Sequence, residues 1–136
     1  MTLKIQPVPT SNFHQTWPLV EEFFTKATKF SEDYTVDQIK ALLASGSWLL
    51  LVATDEENNI HGAGSVNFIN MPNDRVAFVT AISGKGIVNP DVYTQLTSIL
   101  RGFGATKIQC AARESAAKLY EGVGFTHKHI ILEVKI

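Results

Sequence analysis

The stretch Arg75–Ala112, RVAFVTAISGKGIVNPDVYTQLTSILRGFGATKIQCAA, decides the architecture of this 136-residue chain. It opens on Arg75–Ile82, an apolar run of the kind that forms a strand covered on both faces. A glycine-containing loop follows at Ser83–Val88. Asn89 and Pro90 then supply an N-cap and a first-turn residue. Behind them Val92, Tyr93, Leu96, Ile99, Leu100 and Phe103 give a helix a wide apolar face. Gly104 stops that helix, and Thr106–Ala112 reads as the next strand. Strand, helix and strand in this order make a β-α-β crossover.

Downstream, Ala111–Phe125 (AARESAAKLYEGVGF) predicts a short helix with Leu119 and Tyr120 in its last turns and a Gly-x-Gly-Phe exit. A last strand is expected near Lys128–Ile136. Upstream, Ile60–Asn70 reads as a strand in which Gly62 and Gly64 suggest a bulge or a close approach. The run Trp48–Thr54 (WLLLVAT) predicts a central strand. Before it, Thr35 with Gln38 forms a capping-box pattern ahead of the apolar stripe Ile39, Leu42 and Leu43, which Gly46 ends. Pro18 is expected at the start of a first helix whose inner face is Val20, Phe23, Phe24 and Ala27. Lys4–Val8 predicts the first strand. The order β-α-α-β-β-β-α-β-α-β implies an α+β fold, a mixed and mostly antiparallel central sheet flanked by helices.

The length suits one domain spanning residues 1–136. Apolar residues make up 45% and charged residues 18%, which places the chain among folded globular proteins. No apolar run reaches the roughly 20 residues that span a bilayer, and MTLKIQPVPT lacks the apolar core of a signal peptide. A cytoplasmic location is therefore expected, with no membrane partner. The net charge of −1 argues against nucleic acid as a partner. Residues 1–84 hold 5 basic and 9 acidic side chains and residues 85–136 hold 7 and 4, so the halves carry −4 and +3. A mildly basic C-terminal half suits a small polyanion, and equally a chance imbalance on a solvated surface. The single cysteine, Cys110, excludes an intrachain disulfide and reads as an inert strand thiol.

At this point the chain resembles the GNAT superfamily of N-acetyltransferases in the order of its elements, most strongly from Gly84 to Phe125. The family's ending A-x-x-L-Y-x-x-x-G-F is matched in full by Ala116, Leu119, Tyr120, Gly124 and Phe125. The resemblance implies an acyl-CoA N-acyltransferase fold, with acetyl-CoA as cofactor and a small-molecule or protein amine as acceptor. It also implies a pyrophosphate loop, Gln/Arg-x-x-Gly-x-Gly/Ala, whose N–H groups face the anion. Here that loop is Ser83, Gly84, Lys85, Gly86, Ile87 and Val88. Gly86 matches. Ser83 replaces the long donor, and Val88 brings a branched side chain where backbone should meet phosphate. Arg113 stands in place of the family's asparagine at the start of the last helix.

The chemistry implied is direct attack of the acceptor amine on the thioester. The strand edge at Thr80, Ala81 and Ile82 would donate to the developing oxyanion. Tyr120 corresponds to the general acid that protonates the leaving sulfur. Its other reading is an amphipathic residue with its ring in the core and its hydroxyl in water. The glutamate that many members carry on this strand is missing. Glu21, Glu22, Glu32 and Asp33 lie in the region that walls the acceptor site, as solvated charges. His61 reads as structural, and His127 and His129 as exposed residues of the last strand.

Two further readings follow from the departures in the loop. One is a catalytically silent GNAT-fold binding or assembly module acting through a protein partner. The other is a CoA sensor that binds without turnover. The chain's brevity and its FGATKIQCAARES segment also resemble small GNAT-like proteins of tailed bacteriophages, which would place it in host cytoplasm or virion. Either a monomer or a homodimer is compatible with these features.

Overall fold

The computed structural model describes residues 2–29 and 31–136. The described elements are β1 (Lys4–Val8), α1 (Phe13–Ala27), α2 (Val36–Ala44), β2 (Leu49–Thr54), β3 (Ile60–Asn70), β4 (Arg75–Gly84), α3 (Pro90–Gly102), β5 (Lys107–Cys110) and α4 (Glu114–Glu121). The strands form one sheet in the order β1-β2-β3-β4-β5. Every pairing is antiparallel except β4 with β5, which is parallel, as a helical crossover requires. The α+β class expected from the sequence is the one observed. None of the described helices is long and apolar enough to cross a membrane.

The apolar run in β2 has a two-sided purpose. Leu50 and Val52 point into a core with Val20 and Phe24 of α1 and Ile39 and Leu43 of α2. Leu51, one residue out of phase, packs on the opposite face with Val66, Ala77 and Leu100 of α3. Alternation of side chains along a strand produces this split, so a strand sandwiched by helices must be apolar throughout.

The capping box forms as expected. Thr35 Oγ1 accepts from the Gln38 N–H at 3.2 Å, and Gln38 Oε1 accepts from the Thr35 N–H at 3.0 Å. The first helix differs from its prediction. It begins at Phe13, behind a 3-10 turn at Thr10–Asn12, and carries Pro18 in its interior. An interior proline costs about 3 kcal/mol through the lost N–H and the clash with the carbonyl four residues back. The extra turns bury Phe13 and Trp17, which stack along the axis toward Phe24 with centroids 5.6 and 5.5 Å apart. Two such buried rings contribute roughly 3–6 kcal/mol, enough to offset the proline. Pro18 itself is exposed, which keeps the distortion on the solvent side.

Three other boundaries are corrected. Strand β4 continues through Ser83 and Gly84, which the sequence assigns to the loop, because both still pair with Ala63 and Gly62 of β3. Strand β5 is shorter than Thr106–Ala112, since only Lys107–Cys110 finds partners on β4. The expected last strand at Lys128–Ile136 does not form. That segment is exposed and pairs with no strand. Its alternation of apolar residues satisfies the sequence rule for a strand, but pairing needs a neighbouring edge in reach, which sequence periodicity does not report.

Two bulges shape the sheet. The register runs Ala53 to Gly62 and then Thr54 to Ile60, which leaves His61 as an extra residue. It runs Val66 to Val79 and then Ser65 to Ala81, which leaves Thr80 as another. At the first, His61 Nε2 lies 2.7 Å from Asp55 Oδ2. Asp55 also accepts from the N–H groups of Glu57 (2.8 Å) and Asn59 (3.0 Å) and so ties the β2–β3 turn. These bonds, that of His61 foremost, hold its carboxyl down at about 2 instead of 3.8. A depressed carboxyl stabilises the fold above its ordinary value, and that contribution is lost as pH falls through the folded value. The melting temperature is therefore expected to drop between pH 3.8 and about 2, and Asp55→Asn removes part of that drop. Scanning calorimetry across this range checks it, and an unchanged acid profile in the variant would contradict the tie.

Candidate active site

The second bulge lies where the sheet opens. Strand β5 accompanies β4 only along Val76–Val79, so from Thr80 onward the outer edge of β4 has no strand beside it among the described residues. A bulge increases local twist and turns the strand away from its neighbour. The side chain of Thr80 is committed inward. Its Oγ1 lies 2.6 Å from Ser65 Oγ and donates to the Ser65 carbonyl at 3.1 Å. Ala81 is buried against the α1 and α2 core. The predicted edge at Thr80, Ala81 and Ile82 is thus a backbone edge, with the Ile82 side chain facing the opening.

A cleft of about 60 Å³ fills the angle between the two strands. Val79 and Ile82 of β4 form one wall, and Cys110 of β5 with Tyr120, Val123 and Phe125 forms the other. Ile87, Val88 and Asn89 close one end, and Val92, Tyr93 and Leu96 of α3 form the floor. An adjoining cavity of about 50 Å³ continues beneath Ile82, Ile87 and Val92 toward Leu51 and Gly64. Among the described residues the lining is almost wholly apolar, with no carboxylate and no imidazole.

Tyr120 sits in the last turn of α4, half-buried, and its ring leans on Phe125 at 5.8 Å. Phe125 in turn meets Tyr93 edge-on at 5.8 Å. The L-Y-x-x-x-G-F spacing explains the arrangement. The Phe125 N–H returns to the Tyr120 carbonyl at 3.1 Å, and Gly124 takes φ +118°, which brings the ring at 125 back onto the helix. Burial, with a smaller push from neighbouring Cys110, raises the Tyr120 phenol above its ordinary value. Burial also raises the Cys110 thiol. Both groups therefore stay protonated at neutral pH.

The loop beside this cleft is held by contacts that the motif does not show. Ile87 is buried with Leu3, Ala53 and Val92. A Cβ on Gly62 would lie 2.8 Å from Ile87 Cγ2 and 2.9 Å from the Ser83 carbonyl, so the glycine in β3 is what lets the loop fold onto the sheet. Asn89 braces the loop from the other side. Its Oδ1 accepts from the Val92 N–H at 2.9 Å, and its Nδ2 donates to the Gly86 carbonyl at 2.8 Å. Among the described residues no protein acceptor engages the N–H groups of Gly86, Ile87 and Val88. Lys85 is exposed beside them. Two features work against an anion there. Pro90 has no N–H, and Asp91 sets a carboxylate in the first turn of α3. Arg113 is the N-cap of α4 and makes no side-chain capping bond there.

The fold brings Ile82, Ile87, Val88 and Tyr120 to one cleft. Thr80, Ala81, Ser83, Gly84, Lys85, Gly86 and Arg113 do not line it. The sequence reading missed Tyr93, Asn89 and Phe125 as parts of the site, and treated Cys110 as inert core. The 3.6-residue spacing of α3 marks Val92, Tyr93 and Leu96 as one face, but not which layer that face meets. His127 lies outside the cleft, 2.7 Å from Glu121, on the exposed side of α4.

No protein-family model matches the chain, and no curated protein sequence matches it. Solved structures do. An aminoglycoside acetyltransferase from an uncultured soil metagenomic sample, in complex with sisomicin, superposes with TM-score 0.72 at 12% identity over 98% of this chain and 95% of that one. A ribosomal-protein-alanine N-acetyltransferase from Brucella melitensis biovar Abortus 2308 gives 0.71 at 16% identity over 99% and 100%. A predicted acetyltransferase from Clostridium acetobutylicum, with acetyl-CoA, gives 0.67 at 14% identity over 98% and 96%. With the strands parting at Thr80 and the L-Y-x-x-x-G-F turn closing the gap, the chain has the GNAT acetyltransferase fold.

Proposed function

We propose that this single domain is an N-acetyltransferase that moves an acetyl group from acetyl-CoA to an amine. The observation that carries the reading is the cleft at the parting of β4 and β5, with a protonated Tyr120 on its wall. The apolar cleft suits the thioester arm, and the unengaged N–H groups of Gly86–Val88 suit the pyrophosphate. The free edge of β4 beyond Thr80 offers backbone N–H donors to the carbonyl oxygen as the amine nitrogen attacks its carbon. As the carbon–sulfur bond breaks, Tyr120 supplies its proton to the sulfur, and the new amide keeps the acetyl group. The similarity to structures whose names include aminoglycoside and ribosomal-protein acetyltransferases supports an amine acceptor, small or protein-borne.

Among the described residues the cleft wall holds no carboxylate or imidazole to act as base. The acceptor must therefore arrive neutral or lose its proton to water. The rate is expected to rise with pH along the amine's own titration, with no plateau set by a carboxylate or imidazole.

Titration calorimetry with acetyl-CoA and CoA, followed by thiol release against a panel of amines at stepped pH, tests the reading. Micromolar binding with turnover supports it. Absence of binding at millimolar cofactor overturns it. That outcome would favour a silent module, which the carboxylate of Asp91 at the anion end already suits.

A further inference from the structure

On the α3 side of the sheet, the middle of β3 leaves a gap. Gly62 and Gly64 fall on that face by the two-residue period of a strand, while Ala63 between them packs into the α1 and α2 core. Ile87 folds over Gly62, where a Cβ would lie 2.8 Å from its Cγ2. At Gly64 a Cβ would stand at ordinary contact distance, 3.6 Å, from Ile82 Cγ1. The space left without these side chains belongs to the cavity of about 50 Å³ that continues from the cleft. Cleft and cavity share the walls Val79, Ile82, Ile87, Val92 and Leu96, so a ligand in one reaches the other. Among the described residues the cavity lining exposes no polar atom. A water molecule there would find none of the hydrogen-bond partners it needs.

We propose that this cavity receives the acyl chain of the donor, so that the site prefers a short-chain acyl-CoA with a butyryl-sized group to acetyl-CoA. The inference rests on the reading of the cleft as an acyl-CoA site. Polarity decides which part of the donor enters. The pantetheine arm carries amides and a hydroxyl, which would lose their hydrogen bonds against such a lining. The chain beyond the thioester carbonyl is purely apolar and loses none. Volume decides its length. A cavity holds about one water-sized group per 10–15 Å³. A methylene is somewhat larger, so roughly two or three fit here beyond the acetyl carbons, and an octanoyl chain does not. The transfer itself keeps its form. The amine nitrogen bonds to the butyryl carbonyl carbon, the carbon–sulfur bond breaks with its electron pair on sulfur, and sulfur takes the Tyr120 proton. The proton shed by the amine returns through water to the phenolate. The products are the N-butyryl amide and CoA.

Titration calorimetry of the full chain with CoA, acetyl-CoA, butyryl-CoA and octanoyl-CoA tests this without an acceptor. Each methylene taken out of water gives about a four-fold gain, so butyryl-CoA should bind about 15-fold more tightly than acetyl-CoA. Its heat-capacity change on binding should be more negative. Octanoyl-CoA should bind more weakly than butyryl-CoA. Two variants should move the preference in opposite directions. Gly64→Ala sets a methyl group against Ile82, with the Ala81 carbonyl oxygen 3.2 Å away giving slightly, and should erase most of the advantage of butyryl-CoA. Leu96→Ala enlarges the cavity and should raise octanoyl-CoA relative to butyryl-CoA. The wild-type series decides the matter even if a variant does not fold. Acetyl-CoA binding as tightly as butyryl-CoA, or octanoyl-CoA as tightly as butyryl-CoA, would overturn the inference and leave the proposed function standing. Failure of CoA and all three thioesters to bind at millimolar concentration would overturn both.

Discussion

Replacing Tyr120 by phenylalanine should lower kcat for an accepted amine by about 10²- to 10⁴-fold, the usual contribution of a positioned acid. Affinity for CoA should stay the same. The phenylalanine keeps the ring against Phe125 and deletes only a hydroxyl that makes no protein hydrogen bond among the described residues. Stability should therefore be nearly unaffected, which separates a chemical role from a packing one. The raised phenol supplies a further check. The wild-type rate should persist beyond the ordinary phenol range before it falls at high pH, and the variant should show no such fall. If Tyr120→Phe turns over like wild type, the proton reaches sulfur from water, and Tyr120 is a wall residue. Single-turnover thiol release, with cofactor binding followed in parallel, distinguishes the two.

Gly84→Ala should destabilise the fold by about 2–6 kcal/mol, from strained backbone and overpacking together. Gly84 has φ +151°, and a Cβ there would lie 2.5 Å from the His61 carbonyl oxygen and 2.6 Å from Gly62 Cα. Both are backbone atoms of the paired strand β3, so neither can step aside without breaking the Gly62–Gly84 register. The loop that follows would be lifted off the sheet with Ile87. Gly86→Ala is the comparison. Its φ is +69°, but a Cβ there meets nothing within 4 Å. Only the left-handed backbone opposes it, at about 1–2 kcal/mol. Urea unfolding of the two variants should rank Gly84 well above Gly86. A reversed ranking would mean that β4 does not continue to Gly84.

That ranking inverts what the motif alone suggests. Read as a sequence, the loop points to Gly86 as the glycine that matches the phosphate pattern and counts Gly84 as another cofactor-binding member of the same loop. In three dimensions Gly84 is a strand residue pressed against Gly62, and Gly62 makes room for Ile87. The pair is 22 positions apart and belongs to two different strands. No local pattern couples them. The same limit applies to Tyr93 and Phe125, whose contact depends on where α3 and the exit of α4 meet.

Where a residue's state is set by its near neighbours, the sequence by itself determined the outcome. The capping box at Thr35 and Gln38, the Asn89–Pro90 start of α3 and the doubly buried run of β2 depend on hydrogen bonds and side-chain periods within a few residues. The Leu119-Tyr120…Gly124-Phe125 turn is local too, and it pointed to the fold. Tertiary structure decided the rest. Pro18 lies inside a helix because Phe13 and Trp17 find a core beyond it. The cleft opens at Thr80 because a bulge in β4 coincides with the end of β5. Residues 128–136 have the alternation of a strand and yet pair with none, because alternation reports a side-chain period and pairing depends on where the edges of the sheet lie.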